Sequence, residues 1–163
     1  MIDYGTAWRV LRIPSLVDQM FIKAKRIRTL EEEGESMVAD PIFEEYIGIV
    51  NYGLMALIQL ELGVDENESD ETVIQSRYDY YLNNTRQLMI AKNHDYGEAW
   101  RLMQRTSLTD LILMKMLRVK QIMQNQGKTL VSEGLEANFM DMINYAIFAL
   151  IKMQDEKQNS AVT

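Results

Sequence analysis

The fold is decided by a repeated helical stretch, "SLTDLILMKMLRVKQIMQNQG", which runs from Ser107 to Gly127. Asp110 follows Ser107 three residues on, as in a capping box with Asp in place of Glu, and Gly127 supplies a left-handed stop. The stretch "SLVDQMFIKAKRIRTLEEEG", from Ser15 to Gly34, repeats this pattern. Both stretches are therefore predicted to be helices.

The repeat extends beyond these two helices to a motif, D-Y-G-x-A-W-R, that stands before each of them. The copies are Asp3–Arg9 and Asp95–Arg101, which are 92 positions apart. After one inserted residue the offset becomes 93, and it then relates Asn51 to Asn144. Because order and spacing persist along the whole unit, the chain is predicted to be a tandem repeat.

The repeat divides the chain into four segments. A second long helix is predicted in each unit, from about Ile42 to Leu62 and from about Leu135 to Met153, and no stretch shows strand-like alternation. We therefore expect an all-α fold in which two helical units form a pseudo-twofold bundle. The segments are a first repeat at 1–62, an acidic linker at 63–72, a second repeat at 73–155 and a flexible tail at 156–163.

The two units differ at their beginnings. The second D-Y-G follows a predicted helix of roughly twenty residues, whereas the first follows only Met1 and Ile2. We therefore expect that the leading helix of the first unit is missing upstream of Met1. An apolar groove is then expected in the first unit, and a neighbouring chain could fill it by forming a homo-oligomer.

The composition of the chain excludes several kinds of binding partner and binding site. A net charge of -7 repels a nucleic-acid backbone, whereas a free nucleotide with its own metal ion remains acceptable. The absence of cysteine excludes disulfides and thiolate metal sites. No signal-peptide pattern is visible, and the longest apolar run, Tyr46–Leu62, is short for a membrane span. The expectation is a cytoplasmic protein that binds neither nucleic acid nor membrane.

The D-Y-G-x-A-W-R motif has two interpretations. As structure, Gly97 supplies a positive φ, Asp95 caps a helix, and Tyr96 and Trp100 pack. As function, Tyr96 and Trp100 form a stacking surface for a base, next to cations that bind its phosphates. The cations assigned to the phosphates here are Lys92 and Arg101.

A second pair of cations lies within an apolar stretch. Lys115 and Arg118 are three residues apart, on one face of the predicted helix, and unpaired burial of such charges is expensive. Their partner is either an anionic ligand such as phosphate or a carboxylate on the facing helix. That helix offers Asp141 and Asn144, about 60° apart on one side, with Glu133 and Glu136 one or two turns earlier.

Clustered acidic oxygens near a helical core suit magnesium, which often bridges phosphates. The alternative is that Asp141 and Asn144 pair with the two cations and fix the helix register. In the first unit Gly48 replaces Asp141 and Phe43 replaces Glu136. This loss of acids favours one working site and one degenerate site.

Three motifs together, D-Y-G-x-A-W-R, S-L-x-D-x(4)-K-x(2)-R and D-M-I-N-Y, resemble the nucleotide modification associated domain family. Both units match, although the first unit has Gly48 at the start of the third motif. The family occurs in phages and bacteria, and the resemblance implies work on modified nucleotides. A more distant similarity is to the all-α, MazG-type nucleoside triphosphate pyrophosphohydrolases. Glu133-x-x-Glu136 followed by Asp141 is similar to part of their magnesium-binding pattern, although the opposing acidic pair is missing.

Two functions follow. The first is a nucleotide-processing enzyme, such as a magnesium-dependent pyrophosphohydrolase, with Asp141 and Glu136 as its catalytic residues. Its magnesium ligands would be Glu133, Glu136, Asp141 and Asn144, and its phosphate ligands Lys115, Arg118, Lys92 and Arg101. The second is a non-catalytic helical module that binds a small-molecule nucleotide or a protein partner.

Overall fold

Five α-helices make up most of the computed structural model, which describes residues 5–33, 41–67, 69–125 and 131–162, without the side chains of 131–133 and 162. Within these ranges there is no strand, so the all-α prediction is confirmed. The helices are α1 (Ile13–Glu33), α2 (Pro41–Leu62), α3 (Glu71–Tyr96), α4 (Arg105–Gln124) and α5 (Val131–Val162).

The helices pack as two pairs. Helix α1 packs on α2 and α4 packs on α5, and the pairs meet where α2 contacts α5 and α1 contacts α4. Each contact between the two pairs therefore joins a helix to its counterpart in the other repeat, as expected for repeats related by a twofold axis. The core draws fully buried side chains from all four helices, among them Leu16, Ile58, Leu108 and Ile143. Helix α3 lies across α2 and α5.

Both motif helices begin earlier than predicted. Helix α4 starts at Arg105 with Gln104 at its N-cap, because the Gln104 carbonyl already accepts from the N–H groups of Ser107 and Leu108. Ser107 therefore lies inside the first turn, and the capping box with Asp110 does not form. Helix α1 likewise starts two residues before Ser15. The predicted stops at Gly34 and Gly127 lie outside the described residues.

The end of α3 is partly as predicted. Gly97 has φ of 60° and its N–H donates to the Asn93 carbonyl at 2.8 Å, so the predicted positive φ is confirmed. Asp95, however, lies in the last turn of α3 and caps no following helix. Its exposed carboxylate lies 3.4 Å from His94 Nδ1. Helix α3 itself begins after Asp70, whose side chain accepts from the Thr72 N–H.

Helix α5 is longer than predicted. It continues to Val162, so the segment predicted as a flexible tail is helical through that residue. The physical reason is that the residues after Lys152 include no glycine or proline that would end a helix. In the first unit Val10 and Ile22 are exposed. The upstream helix and the homo-oligomer remain predictions.

A buried polar cluster joins α1, α2 and α4. The hydroxyls of Tyr46 and Thr109 are 2.6 Å apart, and Thr109 Oγ1 donates to Glu31 Oε2 at 3.3 Å. Arg105 Nε lies 3.5 Å from the same carboxylate, whose side chain is only 5% exposed. Burial raises the pKa of the Glu31 carboxyl, and the Thr109 hydrogen bond and the Arg105 charge oppose that shift. Burial also raises the pKa of Tyr46.

Glu31 is expected to make stability fall as pH rises. A carboxyl with a raised pKa binds more protons folded than unfolded, so its contribution is complete below the unfolded value of 4.5 and lost as pH rises through the folded pKa. Glu31→Gln should therefore gain stability relative to the unmutated protein over this window. Urea unfolding across pH measures the difference, with Glu32→Gln, an exposed neighbour, as control. Parallel pH profiles for Glu31→Gln and the unmutated protein would contradict the expectation.

Candidate functional site

A cleft of about 390 Å³ lies where the C-terminal end of α3 and the turn Ala99–Leu102 meet α4 and α5. Most of its wall is apolar or aromatic, with two charged groups and two amides among the lining side chains. The lining residues are Met89, Lys92, Asn93, Tyr96, Ala99, Trp100, Met103, Leu111, Asp141, Asn144, Tyr145 and Phe148. The second repeat and its leading helix therefore build the cleft together.

Trp100 is part of the wall's packing. Gly97 ends α3 in the left-handed conformation, and the following turn returns Trp100 to α5. There its ring stacks on Phe148 at 4.4 Å between centroids and 7° between planes, and Arg101 Cζ lies 4.5 Å from its centroid. With only 7% of Trp100 exposed, its prediction as a base-stacking surface is corrected. Tyr96, the other predicted stacking residue, is 73% exposed and lines the cleft.

Asp141 binds two lysines at the cleft. Its Oδ1 lies 2.7 Å from Lys92 Nζ on α3, and its Oδ2 lies 3.0 Å from Lys115 Nζ on α4. The Asp141 side chain is 13% exposed, whereas the Lys92 side chain is 49% exposed. Two ammonium groups and one carboxylate leave a local charge of about +1 in an acidic protein. Lys92 and Lys115, both predicted to bind phosphate, are thus brought together.

The other two predicted phosphate ligands lie elsewhere. Arg118 is exposed on α4, about 60° around the helix from Lys115. Arg101 pairs with Glu98 at 2.9 Å and Asp155 at 3.6 Å, outside the cleft. The four predicted cations therefore do not form one phosphate site.

The predicted magnesium set is also not assembled. Glu136 precedes Asp141 by five residues, which places it about 140° away around α5. It lines a different cavity, of about 230 Å³, with Glu61 and Tyr81. The side chain of Glu133 lies outside the described residues. Among the described side chains, no group of three or more His, Asp or Glu is placed to hold a metal ion. Both Asp141 oxygens already contact ammonium groups, so these residues do not fit magnesium.

Asn144 is the buried amide of the wall, 4% exposed. Its Nδ2 donates to the Thr85 carbonyl of α3 at 3.2 Å, while its Oδ1 has no hydrogen-bond partner among the described residues. Trp100 Nε1 is likewise without a partner in the described part of the chain. Asn144 therefore lies in the cleft with Asp141 as predicted, and its role as a metal ligand has no support from its surroundings.

The sequence interpretation missed the apolar part of the wall. Tyr145 and Phe148 follow Asp141 by four and seven residues, and this spacing places them on one face of α5. Helical periodicity counted from Asp141 could have found both. Met89 and Asn93 of α3 carry no comparable signal, because their place depends on how α3 crosses α5.

The matching position in the first unit is built differently. Gly48 stands where the second unit has Asp141, and the Lys23 side chain lies over it. An added Cβ at Gly48 would be 2.6 Å from Lys23 Cδ. Lys23 Nζ instead pairs with Glu45 at 3.4 Å and lies 5.8 Å from the Tyr52 ring centroid. The degenerate first site remains a prediction, and this arrangement supports it.

Comparison with known proteins gives one match. A family model described as nucleotide modification associated domain 1 matches residues 1–60 and 92–153. Each segment lies within one predicted repeat and begins just before D-Y-G, so most of α3 lies outside the match. No curated protein and no solved structure matches the chain, and the similarity to MazG-type enzymes stays without support. None of the described helices has the length and apolarity needed to cross a membrane.

Proposed function

The chain belongs to the nucleotide modification associated domain 1 family, and from this premise we propose that it binds a small-molecule nucleotide in the cleft between α3 and α5. The observation that carries the proposal is the combination of an aromatic, largely apolar cleft with a lysine, Lys92, on its wall. A nucleotide complements both features, because its flat base suits the aromatic cleft and its anionic phosphate suits the cation.

The cleft suits the base in size and in wall chemistry. Its volume of about 390 Å³ lies within the usual range for small-molecule sites. Methionine and aromatic side chains offer the polarizable contacts that a base prefers. The exposed Tyr96 ring supplies a surface on which a base can stack.

Lys92 suits the phosphate. Its side chain is half exposed, and its ammonium group is a mobile point charge on a flexible stem. It can therefore turn from Asp141 towards a phosphate at the cleft, while Lys115 keeps Asp141 paired. This exchange would retain a cation on Asp141 throughout binding.

We propose that the protein binds the nucleotide without hydrolysing it. The acidic set expected for magnesium is divided between two faces of α5, and Asp141 is held by lysines. We therefore propose that the chain is a non-catalytic module whose ligand is a nucleotide.

Lys92→Met is expected to weaken nucleotide binding about fivefold, because one partly exposed ammonium–phosphate contact is lost. Calorimetric titration with a panel of nucleoside monophosphates and triphosphates measures the effect. The matching nucleosides should bind both proteins equally, since they carry no phosphate. Lys25→Met, at an exposed position on α1, is the matched control and should leave affinity unchanged. Absence of binding by the unmutated protein across the panel would refute the proposed function.

A further inference from the structure

Two buried polar atoms on the cleft wall have no partner among the described residues. They are the acceptor Asn144 Oδ1 and the donor Trp100 Nε1. Both residues line the cleft, and they are 4% and 7% exposed. Buried polar atoms are nearly always hydrogen-bonded in folded proteins, so both atoms call for a partner from outside the chain.

The first unit provides an internal comparison, because its chain satisfies both matching atoms. Asn51 matches Asn144, and its Oδ1 accepts from the Tyr78 hydroxyl at 3.3 Å. Trp8 matches Trp100, and its Nε1 donates to the Gly5 carbonyl at 3.1 Å. The matching atoms are therefore satisfied internally in the first unit, whereas in the second unit both are buried without a partner among the described residues, in side chains that belong to the cleft wall.

The hydrogen-bonding role of each atom, donor or acceptor, follows from its chemistry and its neighbours. Asn144 donates to the Thr85 carbonyl, which can only accept, so the amide nitrogen points there and Oδ1 is left as an acceptor. The indole N–H of Trp100 is a donor only. A ligand that satisfies both atoms must therefore carry a donor and an acceptor of its own.

We infer, on the basis of the proposed nucleotide site, that the cleft recognises an adenine base, whose amino group donates to Asn144 and whose ring nitrogen accepts from Trp100. Adenine offers a donor and an acceptor side by side and has no carbonyl oxygen. The other common bases carry one or two carbonyl oxygens. Burying such an oxygen unpaired against methionine, leucine and aromatic side chains costs affinity.

The test compares adenosine 5′-monophosphate with purine riboside 5′-monophosphate, which lacks only the amino group, and with inosine and uridine 5′-monophosphates. Loss of the amino group leaves Asn144 unpaired, so the adenine nucleotide should bind at least about tenfold more tightly. Asn144→Leu should remove this preference, and Asn51→Leu, the matched control in the first unit, should keep it. Thermal melts check that both variants are folded.

The outcomes separate the two proposals. Equal affinity of the unmutated protein for the adenine and purine nucleotides overturns the inference and leaves the nucleotide site standing. Tighter binding of the inosine or uridine nucleotide overturns the assignment of adenine. A preference that persists in Asn144→Leu assigns recognition to another group and also overturns it. Absence of binding by every nucleotide overturns the proposed function itself. If Asn144→Leu does not fold, the comparison of nucleotides on the unmutated protein decides alone.

Discussion

Gly53→Leu is expected to lower the free energy of unfolding by about 3 kcal/mol. Gly53 lies on α2 where it meets α5, and an added Cβ would be 2.6 Å from Ile143 Cγ1 and 3.0 Å from Ile143 Cδ1. Ile143 is fully buried and β-branched, so it has little freedom to move aside. The two central helices must then separate. Urea unfolding followed by circular dichroism measures the loss.

A matched pair of alanine variants tests the cause. The added Cβ at Gly48 would also lie 2.6 Å from its nearest neighbour, but that neighbour is the flexible end of Lys23. Lys23 can swing away, and alanine is favoured over glycine in a helix by about 1 kcal/mol. Gly48→Ala should therefore be neutral or stabilising, whereas Gly53→Ala should destabilise. Equal losses in the two variants would show that the contact with Ile143 does not limit the approach of α2 and α5.

Asp141→Asn is expected to tighten nucleotide binding about tenfold, because the carboxylate repels a nearby phosphate and holds Lys92. A magnesium site predicts the opposite sign, since loss of a ligand carboxylate weakens metal and nucleotide together. Calorimetric titration with and without magnesium separates the two. Asp18→Asn, an exposed acid on α1, makes the same change in net charge and is the control.

The same variant also measures the structural role of Asp141. Two ion pairs are weakened, but the lysine side chains are 49% and 24% exposed and remain in contact with water. The expected loss of stability is therefore about 1–2 kcal/mol, below the value typical of a buried pair. A larger loss, combined with no nucleotide binding by the unmutated protein, would assign the lysine–aspartate cluster to fixing helix register alone.

The architecture was predictable from sequence because its signals are local or repetitive. The matched order and spacing of the two copies repeat along the chain, and the left-handed glycine at Gly97 and the absence of strand alternation can be recognised within short windows. Helix starts were less predictable. Helix α4 begins before Ser107 because the backbone carbonyl of Gln104 accepts the first hydrogen bonds, and no side-chain motif in the sequence predicts this earlier start.

The candidate site was predictable only in part. Asp141, Asn144 and Lys115 were identified because polar residues within apolar stretches need partners. The pairing of Glu136 with Asp141 was wrong for a reason visible in the sequence, since five residues along a helix turn the side chain to another face. The contact between Lys92 and Asp141 could not be predicted, because it joins residues 49 positions apart and depends on how α3 lies across the bundle.

The packing of α2 on α5 has a consequence for how the molecule is held together. A single copy of the repeat would leave the apolar side of its second helix in water, and two separate copies would have to find each other in solution. Their stability would then depend on protein concentration. Here the linker and α3 join the copies, which makes their association intramolecular and gives each copy a fixed, high effective concentration of the other. The tandem chain is in this sense a dimer that dilution does not dissociate.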